Sequence, residues 1–171
     1  MNIVENFTGI AAKNLAKVEI QKDASNQHEF NGISQIRSFM GTQDKELKCS
    51  FLYFARSGLL SVCEGDVTWY EARENHPERS EFRLYFKENK VVRQATVGDI
   101  LIAGLGRNDC LFLPVLDQKS PLVQDILAVF GINRIPGNAS TTMFPVSDLS
   151  KNGQIAIKQI IQSSPIFDHK T

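Results

Sequence analysis

Cysteine, histidine and net charge are all scarce in this sequence, and each scarcity closes off a class of function. The chain has three cysteines in 171 residues. Cys49, Cys63 and Cys110 are odd in number, widely spaced and without a CxxC pair. Neither a disulfide framework nor a thiolate zinc site is expected, and the thiols read as buried or half-buried groups in a reducing compartment. The three histidines, His28, His76 and His169, lie far apart without partners at metal-ligand spacing. Lys plus Arg number 19 and Asp plus Glu number 19, for a formal net charge of +0. That balance argues against coating nucleic acid through bulk charge, but it permits a reader that concentrates a few arginines on one face.

Long apolar runs are missing too, since charges or glycines interrupt each candidate membrane span. The opening Met1-Asn2-Ile3-Val4-Glu5 has no basic stretch followed by a hydrophobic one, so no secretory signal is expected and the protein reads as cytoplasmic. Neither GxxxxGK[ST], nor GxGxxG between a strand and a helix, nor GxSxG, nor HExxH occurs. A metal-dependent nuclease needs clustered carboxylates and a lysine to hold a divalent cation and activate water. The only (D/E)xK spellings considered are Asp44-Lys45-Glu46-Leu47-Lys48, read as a charged turn, and Glu88-Asn89-Lys90, read as a strand end. Neither has an upstream carboxylate well placed on an adjoining strand, so no catalytic residue, metal site or cofactor is expected in this chain.

What is present describes an ordinary single domain, with 42% hydrophobic and 22% charged residues. Period-two alternation predicts strands over residues 15–22, 51–54, 59–63, 67–73 and 82–86, and apolar runs predict two more over 99–103 and 110–115. Arg56-Ser57-Gly58 and Gly106-Arg107-Asn108-Asp109 read as turns, and Pro77 breaks the chain between two strands. Ile33, Ile36, Phe39 and Met40 share a helical face that Gly41 ends; Ser120, Pro121 and Gly131 bound a helix over 121–130; and Ile155, Ile157, Ile160 and Ile161 mark a last helix over 154–162. Residues 133–145 read as irregular. The domain spans 1–162, with 163–171 a linker or truncation tail. Short consecutive strands with two or three peripheral helices favour a mainly β, closed or half-open antiparallel barrel over a parallel βαβ sheet.

Two polar segments carry the functional signal. The first is the loop from Lys22 to Gly32, with Lys22, Asp23, Asn26, Gln27, His28, Glu29 and Asn31. The second runs from Trp69 to Arg83, with Trp69, Arg73, Arg79, Ser80, Glu81 and Arg83. A guanidinium can bond guanine O6 and N7 together, Asn or Gln can do the same for adenine, and a carboxylate accepts from cytosine N4. The residues also have plainer readings. Arginines alternating with apolar residues describe a solvated strand face, Glu81 between Arg79 and Arg83 describes a surface ion-pair cluster, Trp69 suits a core, and His28 can satisfy local backbone. Lys22, Lys87, Lys90 and Arg93 suit phosphate contacts and solubility equally.

Taken together, Asn26-Gln27-His28-Glu29-Phe30-Asn31-Gly32 and the spacing Arg73-x5-Arg79-x-Glu81-x-Arg83 resemble the two DNA-contacting arms of the N-terminal effector-binding domain of EcoRII-type restriction endonucleases. Val97-Gly98-Asp99-Ile100-Leu101 and Leu127-Ala128-Val129-Phe130-Gly131 are similar to that family's core strand and late helix, and the resemblance spans roughly residues 14 to 132. It implies a DNA-binding pseudobarrel, an open seven-stranded barrel that grips duplex DNA from the major groove as a monomer and recognises a CCWGG-type site. It also implies a prokaryotic restriction-modification system. In that family a separate, covalently linked catalytic domain does the cutting, so Mg2+ is expected only there. Two other classes remain open at this point: a complete metal-dependent endonuclease using Asp44, Glu46 and Lys48 or Glu88 and Lys90, and a small-ligand barrel with no nucleic-acid role.

Overall fold

Alternation with period two runs through most of the chain and builds one curled sheet. The computed structural model describes residues 3–20, 28–75, 78–139 and 146–167. Its strands are β1 (Phe7–Asn14), β2 (Glu29–Asn31), β3 (Lys45–Phe54), β4 (Leu60–Glu71), β5 (Phe82–Phe86), β6 (Ile100–Gly106), β7 (Leu111–Leu116) and β8 (Gly137–Asn138). They form a single sheet in the order β2-β5-β4-β3-β7-β6-β1-β8. Neighbours are antiparallel except β3 and β7, which run parallel. The sheet curls into a half-barrel and the protein is mainly β. Among the described residues it has eight strands where the resemblance implies seven.

Each face of the sheet has its own core. Leu47, Cys49, Phe51 and Tyr53 of β3 point inward with Val67 and Trp69 of β4 and Phe82, Leu84 and Phe86 of β5. The short helix α2 (Ser34–Met40) adds Ile36 and Met40 to this inner core. Gly41, at φ 85°, ends that helix in a conformation that disfavours a side chain. On the outer face, Leu52 and Phe54 join Ile100, Ile102 and Phe112 beneath α3 (Val123–Val129) and α4 (Lys151–Gln162). β6 and β7 are therefore buried on both sides, which is why they read as unbroken apolar runs.

A buried ion pair joins the two ends of the curled sheet. Lys13, on β1, donates to Glu19 Oε2 at 2.6 Å, and the two side chains are 8% and 0% exposed. Glu19 lies on the single-turn helix α1 (Lys17–Ile20). Its Oε2 also accepts from the Asn31 N–H on β2 at 2.8 Å, and its Oε1 accepts from the Ala16 N–H at 2.8 Å. Lys13 Nζ donates in addition to the Asn31 carbonyl at 3.3 Å. β2 and β1 sit near opposite ends of the strand order, so this cluster bridges the open side of the half-barrel. A second buried carboxylate, Asp99, accepts from the Tyr53 hydroxyl and the Thr96 and Gln118 N–H groups, fixing the approach to β6. Burial, and then this carboxylate, push the Tyr53 phenol up from its ordinary value.

Several sequence expectations change. Residues 15–20 do not form a strand, and Gln21 and Lys22 lie outside the described residues: the chain leaves β1 at Asn14 and turns into α1, where Val18 is exposed and Glu19 is buried, the reverse of the expected pattern. The charged stretch 44–48 is mostly strand, because Leu47 packs inward while Glu46 and Lys48 face solvent. Residues 59–63 and 67–73 belong largely to one twelve-residue strand, β4. In α3 the Ser120 hydroxyl accepts from the Leu122 N–H but does not cap the helix, which starts at Val123. α4 begins at Lys151, three residues earlier than expected, because Ser150 accepts from the Gly153 N–H as a side-chain cap. The expected tail is structured as far as Phe167, whose ring packs edge-on against Phe112 with centroids 5.2 Å apart, while Ser164 meets Ser50 at 3.0 Å.

Candidate nucleic-acid interface

The outer face of β2, β5 and β4 carries the candidate site, and strand register assembles it. Arg83 pairs with Asn31 on one side and with Tyr70 on the other, and Tyr85 lies between Glu29 and Thr68. Because Phe30, Phe82, Leu84 and Trp69 point inward, Glu29, Arg83, Tyr85 and Tyr70 share the opposite face.

Ionic bonds then join the ends of the two arms. Glu81 Oε2 accepts from Arg73 Nε at 2.9 Å and from Arg83 Nη2 at 3.1 Å. Arg83 Nη1 reaches Glu29 Oε2 at 3.3 Å, and the Tyr70 hydroxyl donates to Glu29 Oε1. The run Arg73–Glu81–Arg83–Glu29–Tyr70 therefore connects the second arm to the last residues of the first. Beneath it, Glu71 accepts from the Arg73 and Glu81 N–H groups at 2.9 and 2.7 Å and from the Ser80 hydroxyl, while Asp44 accepts from the Glu71 N–H at 3.0 Å. These bonds give the ends of the 72–81 loop a fixed start.

The charges are tuned accordingly. The Arg83 and Arg73 guanidinium groups hold the Glu81 carboxyl below the usual range. Glu81 and Glu29 raise Arg83 in return. The Ser80 hydroxyl, followed by the Glu81 N–H, lowers Glu71. Burial, and then the bond to Glu29, push the Tyr70 phenol up to about 12.

The structure distributes the sequence candidates unevenly. Lys22, Asp23, Asn26 and Gln27 lie outside the described residues, as do His76 and Pro77. His28 is half-buried, its ring 6.0 Å from that of Phe86 and its carbonyl accepting the Phe86 N–H. Glu29 is buried and bonded to Tyr70 and Arg83, so its carboxylate is engaged within the protein. Asn31 is half-buried and its backbone is held by the Lys13–Glu19 pair. Arg73, Arg79 and Ser80 are exposed, and Arg73 is held through Nε, leaving its terminal Nη edge as the one that could face a base. Both terminal nitrogens of Arg83 meet carboxylates, and its side chain is 23% exposed, so it ties the arms together.

Trp69 requires a correction. It is 0% exposed, stacks on Phe82 with centroids 5.1 Å apart, and donates its indole N–H to the Gly41 carbonyl at 3.1 Å. Its bulk and its only donor are both committed to the core, so it supports the second arm from beneath without reaching a base. Gly32 makes room for it: a Cβ there would lie 2.4 Å from the Trp69 ring and 2.6 Å from the Phe82 carbonyl.

Sequence reasoning missed Tyr70, Glu71 and Tyr85. Tyr85 is 42% exposed and stands in the same outward row as Arg83. The alternation Arg83-x-Tyr85 was the available signal for it; Tyr70 and Glu71 depend on long-range register. Three of the alternative nuclease residues are bonded within the fold. Asp44 holds the Glu71 backbone, Lys48 pairs with Asp66 at 2.8 Å, and Glu88 pairs with Arg93 at 3.7 Å. No family model matches the chain, and no curated protein matches it.

Proposed function

We propose that this chain is a sequence-specific reader of double-stranded DNA, built as a DNA-binding pseudobarrel. On this reading it is the effector or targeting domain of a Type II restriction endonuclease and recognises a CCWGG-type site as a monomer. Its catalytic domain is a separate, covalently linked unit, and cutting is not assigned to this chain. The observation that carries the reading is the Arg73–Glu81–Arg83–Glu29 series, which brings the ends of two polar arms to one face.

That series supplies what base reading needs. An arginine loses up to about 2 kcal/mol of rotamer freedom when it is fixed, so one already held by a carboxylate meets a base edge with part of that loss behind it. Glu81 thus acts as a buttress that aims Arg73, while Arg79 and the first-arm residues Asn26, Gln27 and His28 complete the reading surface. Buttressing carboxylates also cancel long-range attraction, which fits a formal net charge of +0 and favours discrimination over bulk phosphate binding.

Fluorescence anisotropy with a CCWGG duplex and a scrambled duplex tests the reading. Arg73→Ala and Arg79→Ala should each weaken specific binding by about 5–150-fold, corresponding to about 1–3 kcal/mol per bidentate contact, with a much smaller effect on the scrambled duplex. Wild-type protein that binds both duplexes equally would refute specific recognition of this site.

A further inference from the structure

We propose, building on the DNA-binding reading, that the outward row of β5 centred on Tyr85 contacts the sugar–phosphate backbone between the two arms. Three observations lead there. Tyr85 is 42% exposed on a strand whose alternate residues Phe82, Leu84 and Phe86 are all buried. Its cross-strand neighbours are Glu29, at the end of the first arm, and Thr68; Arg83, tied to the second arm, precedes it by two residues on the same face. Lys87, exposed directly after the strand, adds a cation beyond it.

Successive outward residues of a strand stand roughly 6.5–7 Å apart, so Arg83 and Tyr85 form a short linear track between the arms. The acidic group nearest along the register, Glu29, is buried and already bonded to Tyr70 and Arg83. Asp66, two residues from Thr68 on the same face of β4, is exposed but paired with Lys48 at 2.8 Å, and Glu46, exposed opposite Thr68, lies one strand further away. A phenol is neutral and can donate to a phosphate oxygen, and tyrosine is among the side chains that make such sequence-independent contacts. Duplex DNA gripped by both arms would pass over this row, and the Tyr85 hydroxyl would donate to a phosphate there while Lys87 neutralises one nearby.

The test measures specific and scrambled duplexes side by side across a salt series, with wild-type, Tyr85→Phe and Lys87→Ala proteins whose folding is confirmed by thermal melts. Tyr85→Phe should weaken both duplexes by the same factor, about 3–10-fold, with the specificity ratio and salt slope unchanged. Lys87→Ala should also weaken both and reduce the salt slope by about 1. Tyr85→Phe binding that equals wild type on both duplexes overturns the inference while leaving the DNA reading intact, and so does a loss confined to the specific duplex, which would make Tyr85 a base reader. Wild-type protein that binds neither duplex overturns the reading and the inference together.

Discussion

The Lys13–Glu19 pair should be among the most sensitive positions in the molecule, and its geometry sets the expected size of the effect. Both side chains are almost fully buried, 2.6 Å apart, and the carboxylate also accepts the Ala16 and Asn31 N–H groups. Removing one member of such a pair leaves the other charged and buried, at a cost of about 3–5 kcal/mol. In a chain of 171 residues each kcal/mol shifts the melting temperature by about 2–4 °C, so Glu19→Gln or Lys13→Met should lower it by about 6–20 °C. The double variant Lys13→Met/Glu19→Gln removes both charges, so its cost should fall short of the sum of the singles by about 1–3 kcal/mol. Urea denaturation followed by circular dichroism measures all three. Hydrogen exchange gives a local check, because the Asn31 amide should lose protection in Glu19→Gln before the β3–β4 amides do. Single variants within about 0.5 kcal/mol of wild type, or costs that simply add, would refute the bridging role.

Three further outcomes are expected. Gly32→Ala forces a methyl group against Trp69 and the Phe82 carbonyl and should destabilise the protein by about 1–3 kcal/mol in the same urea assay. Glu81 and Glu71 both titrate below the usual carboxylate range, so their bonds are intact above ordinary carboxylate values and are lost as pH falls through the depressed ones; carboxyl-carbon NMR should show this acid-side loosening, and Glu81→Gln should abolish the Arg73 and Arg83 part of it. Tyr70 has its phenol pushed to about 12, so the stabilisation of its neutral form is complete below about pH 10 and is lost as pH rises toward 12; a tyrosinate absorbance titration should contain that late step, and Tyr70→Phe should remove it.

Much of the sheet was legible because side-chain alternation and turn residues act locally. Phe82, Leu84 and Phe86 announce an inward face, and the hairpin around Gly58 and the stop at Gly41 follow from backbone freedom that glycine alone supplies cheaply. β1 stayed hidden because Gly9, Ala11 and Ala12 are too small to mark faces, and residues 15–22 misled because a buried glutamate replaced the expected apolar residue. Nothing near Glu19 in sequence announces that Asn31 will lie against it. In the candidate site, Glu81 and Arg83 share a face by simple periodicity, which made their association readable. Tyr70 meets Glu29 only through the β4–β5 and β5–β2 registers, and Trp69 is buried because both α2 and β5 pack around it, so a residue-by-residue reading could decide neither.

The two carboxylate clusters act on the same short element. β2 has three residues, too few for its ladder with β5 to fix it firmly, yet the first arm returns to the sheet through it. One cluster grips β2 by its backbone, through Glu19 on Asn31; the other grips it by a side chain, through Glu29 on Tyr70 and Arg83. The first cluster is buried and joins opposite ends of the sheet, while the second is partly exposed and reaches the second arm. Closing the half-barrel and setting the arms relative to each other are therefore one mechanical problem, solved on both sides of β2. On the proposed reading, a DNA reader made this way would gain its aim from ionic ties that offset its arginine charges, and its selectivity would rest on keeping those ties in register.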